Sequence, residues 1–311
     1  MNLDKSVPLV SILIPAYNQT VFLEKALGSA LQQDYPNCEI VICDDSTTGD
    51  VKLLVEQFRQ NYDKISYYNN NGPLGGRGIF NYKKCFEVCQ GQYISYLSHD
   101  DLYMSNKVSS MIHYLTDDAN IKLVTSYRKL IDSADNIFQD IDINRPLFDV
   151  TTRVAGKDMG RFILRNIFNV IGEPTTTLFR KADIDGELLE YKGYQLRCLI
   201  DVGIWLKLLA KGDLLYIREP LSQFRLHSEQ NSCNKDLEVL GRIDWYKLIT
   251  LSYKDNVFLS DEDYKAAIAA WVGSVYKLYP QPERFKAILE NENLYAELME
   301  CYTEAFANIF K

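Results

Sequence analysis

The chain has 311 residues, enough for one large domain and a smaller one. Its formal net charge of −8 excludes the overall basic surface of a nucleic-acid-binding protein, so an anionic substrate would need a bound cation or a few placed arginines. The seven cysteines form no Cys-x-x-Cys pair and there are three histidines, which argues against a disulfide framework and against a histidine-rich zinc site.

The first part of the chain predicts alternating strands and helices. Short apolar, β-branched runs are typical of strands buried in a parallel sheet, and they occur at residues 9–14, 39–43, 64–68, 94–97 and 121–126. Helical spacing predicts helices over 20–31, 51–58 and 81–89, and a further helix that Ser105 would cap. This alternation predicts an α/β fold with a mostly parallel sheet flanked by helices.

The pattern of apolar residues changes twice in the second part of the chain. Residues 128–172 give a weak pattern, with a helix near 159–167, and later segments predict a strand at 173–180, a helix opened by Leu199-Ile200-Asp201, and a strand at 214–218 that Glu219-Pro220 ends. From about Lys235 three helical patterns follow, the second capped by Ser260 and the third beginning near Pro282. We therefore expect an α/β domain over residues 1–232 and a helical subdomain over 233–311.

Pairs of aspartates follow two of the predicted strands. Asp44-Asp45 ends the second strand, and Asp100-Asp101 follows the fourth. Because the carboxyl ends of parallel strands lie at one edge of a sheet, both pairs can face one ligand cleft. Hard carboxylate oxygens there suit Mg²⁺ or Mn²⁺, which in turn hold phosphates. Either pair alone could be a solvated loop, but two such pairs predict a site.

A glycine-rich run separates the two pairs. Residues 70–78 read Asn-Asn-Gly-Pro-Leu-Gly-Gly-Arg-Gly, a composition that lets the backbone turn sharply or pass close to a ligand. The run does not open a helix directly after the first strand, and no Walker motif is present, so the sequence disfavours a nicotinamide site and a P-loop.

Four segments in this order resemble the inverting glycosyltransferases of family 2. They are VSILIPAYNQ (10–19), EIVICDDST (39–47), NNGPLGGRG (70–78) and the Asp-Asp element, and the resemblance covers roughly residues 8–230. It implies the GT-A fold, which is Rossmann-like, and a nucleotide-sugar donor, most readily a UDP-sugar. It also implies a hydroxyl acceptor, on a cell-surface glycan or its lipid-linked precursor.

The resemblance implies a role for nine residues. Pro15, Ala16 and Tyr17 would line the base and ribose, Asp45 would bind the base, and Arg77 would lie close to the nucleotide. Asp100 would bind Mg²⁺ or Mn²⁺ on the diphosphate, with Asp101 and His227 beside it. Asp201 would be the base that activates the acceptor, although its position alone would favour an ordinary helix N-cap. Ser98 replaces the motif's first acidic residue and supplies no charge, which leaves open whether the metal is required.

The sequence leaves two alternative functions open and predicts a cellular location. A nucleotidyltransferase that makes nucleotide sugars would need a Gly-, Arg- and Lys-bearing loop after the first strand, where this chain has Pro15–Gln19. A non-catalytic nucleotide-sugar-binding protein is the other alternative. The uncharged stretch Ser6–Leu23 contains two prolines and is not followed by a signal-peptide cleavage site, so we expect a cytoplasmic protein, compatible with the inner face of the membrane.

Overall fold

The computed structural model describes residues 7–141, 144–227, 235–277 and 292–309. Contacts divide the chain into two compact units. The sheet unit comprises Met1–Val154, Ile171–Asp185 and Lys211–His227, and the helical unit comprises Ala155–Val170, Gly186–Ala210 and Ser228–Lys311. The predicted domain boundary at 232/233 lies outside the described residues, and two segments that precede it belong to the helical unit.

The sheet unit is built on one nine-stranded sheet. The strands are β1 (Val10–Ala16), β2 (Cys38–Asp44), β3 (Ile65–Asn69), β4 (Tyr93–Tyr96), β5 (Leu102–Tyr103), β6 (Ile121–Ile131), β7 (Thr152–Val154), β8 (Thr177–Arg180) and β11 (Asp213–Arg225). Their order is β3-β2-β1-β4-β8-β6-β11-β5, with β7 paired to β11. Strands β1–β4 are parallel to one another, as are β6 and β11, whereas β8 runs antiparallel between β4 and β6.

Four helices pack on this sheet. They are α1 (Thr20–Leu31), α2 (Asp50–Arg59), α3 (Ile79–Val88) and α4 (Lys107–Asp117). Helices α1, α2 and α4 share one core with alternate residues of β1 and β2, such as Ile12 and Ile40. The intervening residues, such as Leu13 and Val41, point to the other face and are also buried, which is why these strands read as continuous apolar runs.

The structure differs from the sequence prediction at several element ends. Strand β6 continues to Ile131 instead of ending at 126, and in the predicted strand 173–180 a short 3₁₀ helix, Pro174–Thr176, precedes β8. Helix α4 begins at Lys107 with Asn106 as the N-cap residue, so the prediction that Ser105 caps it is wrong. Strand β11 continues past Pro220 to Arg225 instead of ending at 218. Proline has no backbone N–H to donate to the hydrogen bonds of a sheet. The register of β11 against β6 shifts on both sides of Pro220, so the strand passes through the proline by a local irregularity in its pairing.

The helical unit contains five described helices and a hairpin. Asp244 is buried, and one of its carboxylate oxygens accepts hydrogen bonds from the backbone N–H groups of Arg197, Cys198 and Leu199, just before the helix that begins at Ile200. The predicted cap at Ser260 is present as a reciprocal capping box with Asp263. The predicted helix start near Pro282 lies outside the described residues. The elements are α5 (Gly156–Asn166), β9 (Glu190–Tyr191), β10 (Tyr194–Gln195), α6 (Ile200–Leu209), α7 (Lys235–Lys254), α8 (Asp261–Tyr276) and α9 (Glu292–Ile309).

Within the described part of the chain, no helix combines the length and the apolar character needed to cross a membrane.

Candidate active site

The carboxyl ends of β2 and β4 lie on either side of β1. The backbone N–H of Asp45 donates to the carbonyl oxygen of Ala16 (3.0 Å), and Nδ1 of His99 lies 3.1 Å from the carbonyl oxygen of Pro15. Both acidic segments are therefore fastened to the end of β1, at one edge of one sheet. This is the edge at which open α/β sheets bind ligands.

The two aspartates that end β2 have different surroundings. Both residues are buried, and the Asp44 carboxylate accepts hydrogen bonds from the Tyr67 hydroxyl (2.6 Å) and the Ser46 backbone N–H (2.8 Å). The Asp45 carboxylate accepts one hydrogen bond from the Asn70 amide (2.8 Å), and that amide is in turn held by Asn81 (2.9 Å). The asparagines thus orient Asp45, which is the aspartate expected to bind the base.

The glycine-rich run forms a turn in a rarely used backbone conformation. Four consecutive residues, from Gly75 to Gly78, have positive φ, including Arg77 at φ 56°. A Cβ on Gly76 would lie 2.5 Å from Ile79, so this position requires glycine. Arg77 is exposed, as is the Tyr17 side chain at the end of β1. Holding a non-glycine residue such as Arg77 in the left-handed region costs free energy. Such strained residues are frequent at ligand-binding turns.

Asp100 and His227 form a close pair. Nε2 of His227 lies 3.0 Å from Oδ2 of Asp100, and their side chains are 10% and 18% exposed, respectively. The ring of Phe22, on α1, contacts the His227 ring at 5.1 Å between centroids. The end of β11 therefore brings a distant imidazole to the carboxylate that follows β4.

Asp101, by contrast, is fully buried and engaged. One carboxylate oxygen accepts the backbone N–H of Arg225 (3.0 Å), and the other accepts the Thr175 hydroxyl (2.6 Å). Burial and the neighbouring carboxylates of Asp100 and Glu173 raise the pKa of Asp101 well above its usual range. These contacts fasten the loop after β4 to β11 and to the segment before β8. The metal role expected for Asp101 stays a prediction, and its surroundings favour a structural role.

Asp201 lies in the helical unit, in the first turn of α6. Its carboxylate accepts a hydrogen bond from the Asn169 amide (2.8 Å) and one from the backbone N–H of Val202 (2.8 Å). Asp244 holds the backbone that leads into this helix. The carboxylate is thus oriented by its neighbours, and its role as a base stays a prediction.

Comparison with known proteins identifies the family. The family model described as Glycosyl transferase family 2 matches residues 11–183, which is more than half of the chain. The chain belongs to glycosyltransferase family 2. Its likeness to an uncharacterised glycosyltransferase of Rickettsia typhi covers 82% of this chain and 78% of that protein, at 28% identity. A 107-residue segment is 36% identical to the UDP-Glc:alpha-D-GlcNAc-diphosphoundecaprenol beta-1,3-glucosyltransferase WfaP of Escherichia coli, covering 34% of this chain and 41% of that protein.

Solved structures share the fold of this glycosyltransferase. The TarS 1-349 fragment of S. aureus in complex with UDP-GlcNAc has a TM-score of 0.58 at 14% identity, and the match covers 96% of this chain and 90% of that one. The mannosyltransferase PcManGT from Pyrobaculum calidifontis, in complex with GDP-Man and Mn²⁺, has a TM-score of 0.52 at 13% identity, covering 96% and 87%. The predicted GT-A fold with a helical C-terminal part is confirmed.

Several residues of the glycosyltransferase that shape the site were not found from the sequence. Asn70 and Asn81 orient Asp45, Thr175 binds Asp101, and Arg225 contacts the Asp-Asp element. Three of the four lie in or beside segments already singled out, but nothing in a local pattern tells a polar residue that bonds a distant strand end from one that faces solvent. Asn81, in particular, reads as an ordinary helix residue.

A cavity of about 550 Å³ lies in the helical unit of the glycosyltransferase, between α7, α8 and α9. Its lining includes Tyr253 and Tyr264, whose rings stack at 4.0 Å, and Lys254. None of the predicted site residues lines it.

A buried lysine makes the stability of the glycosyltransferase depend on pH. Lys107 is fully buried, with Nζ 3.0 Å from the Met111 sulfur and 3.3 Å from the Thr177 carbonyl oxygen. Burial lowers its pKa from 10.5 to about 7. Between these values the unfolded chain binds more protons than the folded chain, so the free energy of unfolding should rise as the pH increases from 7 towards 10.

Lys107→Met should therefore flatten this rise and stabilise the protein at pH 7, by about 1–4 kcal/mol, because the buried ammonium is replaced by an apolar side chain of similar length. Urea unfolding at pH 7, 8 and 9 measures both effects. Lys52→Met, at an exposed lysine on α2, is the control and should keep the slope of the unmodified protein. Equal pH slopes in the Lys107 variant and the unmodified protein would contradict the assignment.

Proposed function

We propose that this enzyme transfers a sugar from a UDP-sugar to a hydroxyl group of a lipid-linked glycan, with inversion at the anomeric carbon. The observation that carries the proposal is that Asp45 and Asp100 follow the two strands that flank β1, with His227 3.0 Å from Asp100. A nucleotide can span such an edge, with its base near Asp45 and its diphosphate near Asp100. The family membership supports glycosyl transfer over nucleotidyl transfer.

The nucleotide would lie along the end of β1. Pro15, Ala16 and Tyr17 would line the base and ribose, and the oriented Asp45 carboxylate would accept a hydrogen bond from the base. Arg77, presented on its glycine turn, would contact the phosphates, where a guanidinium suits an anionic group. UDP is the nucleotide supported best, because the names of the E. coli relative and of the TarS complex both specify it.

The residues present suit a divalent cation on the diphosphate. No cluster of three or more His, Cys, Asp or Glu side chains that could hold a metal occurs among the described residues. Asp100 and His227 do supply a carboxylate oxygen and an imidazole nitrogen 3.0 Å apart. Mg²⁺ and Mn²⁺ at phosphates commonly take few protein ligands and complete their shell with phosphate oxygens and water. When bound, such an ion stabilises the negative charge of the departing diphosphate as a Lewis acid.

The base on the acceptor side would be Asp201. A hydroxyl is a weak nucleophile, and a carboxylate that takes its proton during attack accelerates transfer. The Asn169 amide would hold this carboxylate in orientation. Attack opposite the leaving diphosphate inverts the anomeric carbon. The lipid-linked acceptor rests on the name of the E. coli relative, and it would place the reaction at a membrane surface.

A donor screen followed by a transfer assay tests the proposal. We expect UDP-sugars with Mn²⁺ to raise the melting temperature, by roughly 5 °C at a hundred times the dissociation constant, because a ligand that binds only the folded state stabilises it. GDP-sugars are the control and should have little effect. The stabilising UDP-sugar should then be transferred to an undecaprenyl-diphosphate-linked saccharide, and NMR of the product should show an inverted anomeric configuration.

Stabilisation by GDP-sugars alone would contradict the donor assignment. Stabilisation by a UDP-sugar without transfer to any acceptor tried would favour the non-catalytic alternative, and a retained anomeric configuration would contradict the mechanism.

A further inference from the structure

Arg225, the last residue of β11, is a fully buried charge beside the proposed diphosphate site. Its side chain is 0% exposed. The Nε–H group donates to the backbone carbonyl oxygen of Asp100 (2.7 Å), and one terminal nitrogen donates to the carbonyl oxygen of Asp132 (2.6 Å). The same nitrogen lies 2.6 Å from the Asp135 carboxylate, and the guanidinium lies 4.7 Å from the centre of the Phe22 ring.

These contacts join three separate parts of the sheet unit. Asp100 belongs to the loop after β4, Asp132 and Asp135 to the turn after β6, and Phe22 to α1. A buried guanidinium is tolerated when its charge is paired and its N–H groups are bonded, and the Asp135 carboxylate supplies the opposite charge. Lys25 binds the other oxygen of that carboxylate (2.5 Å), so Asp135 is itself fixed.

Arg225 binds the backbone carbonyl oxygen of Asp100, so the Asp100 carboxylate can interact with other groups. Its own backbone N–H donates to Asp101, and two residues further along the chain His227 reaches the Asp100 carboxylate. The intervening Leu226 N–H is fixed to the carbonyl oxygen of Ile131 (2.9 Å). The side chain of Arg225 therefore fixes the backbone of Asp100, and its main chain leads directly to His227. Together they set the distance between the Asp100 carboxylate and the His227 imidazole.

We propose that Arg225 is a positioning residue that holds Asp100 and His227 at the spacing needed to bind a divalent cation on the diphosphate. The inference rests on the proposed function, since it needs a nucleotide diphosphate at this edge. The planar guanidinium is essential to this role, because it reaches two carbonyl oxygens and a carboxylate at once. A lysine ammonium carries the same charge on a different geometry and cannot span all three.

The test is the affinity for Mn²⁺ in the presence of UDP, read from the electron paramagnetic resonance signal of free Mn²⁺. Arg225→Lys should weaken this affinity roughly 10- to 100-fold, the range found when groups that orient metal ligands are replaced. The affinity for UDP in EDTA should change by less than about two-fold, because Asp45 and the end of β1 are untouched. A general loosening of the fold would weaken both affinities.

Arg180→Lys is the matched control. Arg180 also donates to backbone carbonyl oxygens, those of Ile121 and Asp118, but it pairs with Tyr93 at the amino end of β4, the opposite edge of the sheet. Arg180→Lys should lose about as much stability as Arg225→Lys but keep the Mn²⁺ affinity of the unmodified protein. If Arg225→Lys does not fold, Asp135→Asn replaces it, with an expected loss of about 10-fold, the lower end of the range for groups that orient metal ligands. Asp118→Asn, which removes a carboxylate paired with Arg153 (2.7 Å) just before the start of β6, is the control for that variant.

The outcomes separate the two proposals. If the unmodified protein binds no Mn²⁺ with UDP, the metal role in the proposed function fails, and the role of Arg225 fails with it. If the unmodified protein binds Mn²⁺ and Arg225→Lys, or failing that Asp135→Asn, binds it equally well, the positioning role is overturned and the proposed function stands. An equal loss in Arg180→Lys would also overturn it.

Discussion

Asp201→Asn should abolish most sugar transfer while leaving donor binding intact. A general base contributes roughly 10²- to 10⁴-fold to a rate, and the amide cannot take the proton of the acceptor hydroxyl. The isosteric amide can still accept the Val202 N–H hydrogen bond, so helix α6 should keep its first turn. The measurement is the transfer rate with saturating UDP-sugar and acceptor, with UDP-sugar affinity determined separately.

A second first-turn aspartate provides the control for this variant. Asp50 is exposed at the start of α2, and Asp50→Asn changes a helix N-terminus in the same way without touching the proposed site. It should keep full activity. If Asp201→Asn transferred sugar at the unmodified rate, the carboxylate would be only a helix-terminal group stabilised by the helix dipole.

Asp100→Ala should remove the metal-dependent part of UDP binding. The variant loses one of the two adjacent ligand groups, and His227 alone offers a single nitrogen. We expect the Mn²⁺ affinity in the presence of UDP to fall at least 100-fold, since a direct ligand should contribute more than the groups that orient it. Titration calorimetry with UDP, with and without Mn²⁺, measures the effect, and UDP binding in EDTA should be retained.

Asp101→Asn separates the roles of the two neighbouring aspartates. Both oxygens of Asp101 are bonded inside the protein, so the amide reverses the 2.6 Å contact with Thr175, whose hydroxyl must then donate to the more distant Ser98 hydroxyl (3.2 Å), and this should cost about 1 kcal/mol of stability. Its effect on Mn²⁺ affinity should be small beside that of Asp100→Ala. The reverse order, with Asp101→Asn losing the metal and Asp100→Ala keeping it, would assign the metal to Asp101.

The parts of the fold predicted from sequence are those with a local physical cause. The runs around Ile12 and Val41 are apolar on both faces because both faces of these strands are covered, and that pattern is visible in a few residues. The capping box at Ser260 is likewise local. The strand through Pro220 was missed because its tolerance depends on the register against β6, which is a tertiary property.

The remaining features depend on distant contacts. The Asp100–His227 distance depends on how β11 ends against β6 and on the buried Arg225, and no spacing in the chain encodes it. The division of the chain into a sheet unit and a helical unit also cannot be predicted from local sequence patterns. Residues 155–170 and 186–210 lie between strands of the sheet unit in sequence, yet α5 packs against the C-terminal helix α8, and α6 packs against α5.

Strand β8 has a consequence for biosynthesis. Within the described sheet, Thr177–Arg180 is the strand that joins the parallel group ending in β4 to the group beginning with β6. On a ribosome, β4 and β6 emerge well before it, and each has an unsatisfied edge until it arrives. A nascent chain halted before residue 177 would present β1–β4 as a half-sheet with an open apolar edge, and β6 without either of its neighbours, because β11 is synthesised later still. We therefore expect it to depend on chaperones until β8 and then β11 are in place.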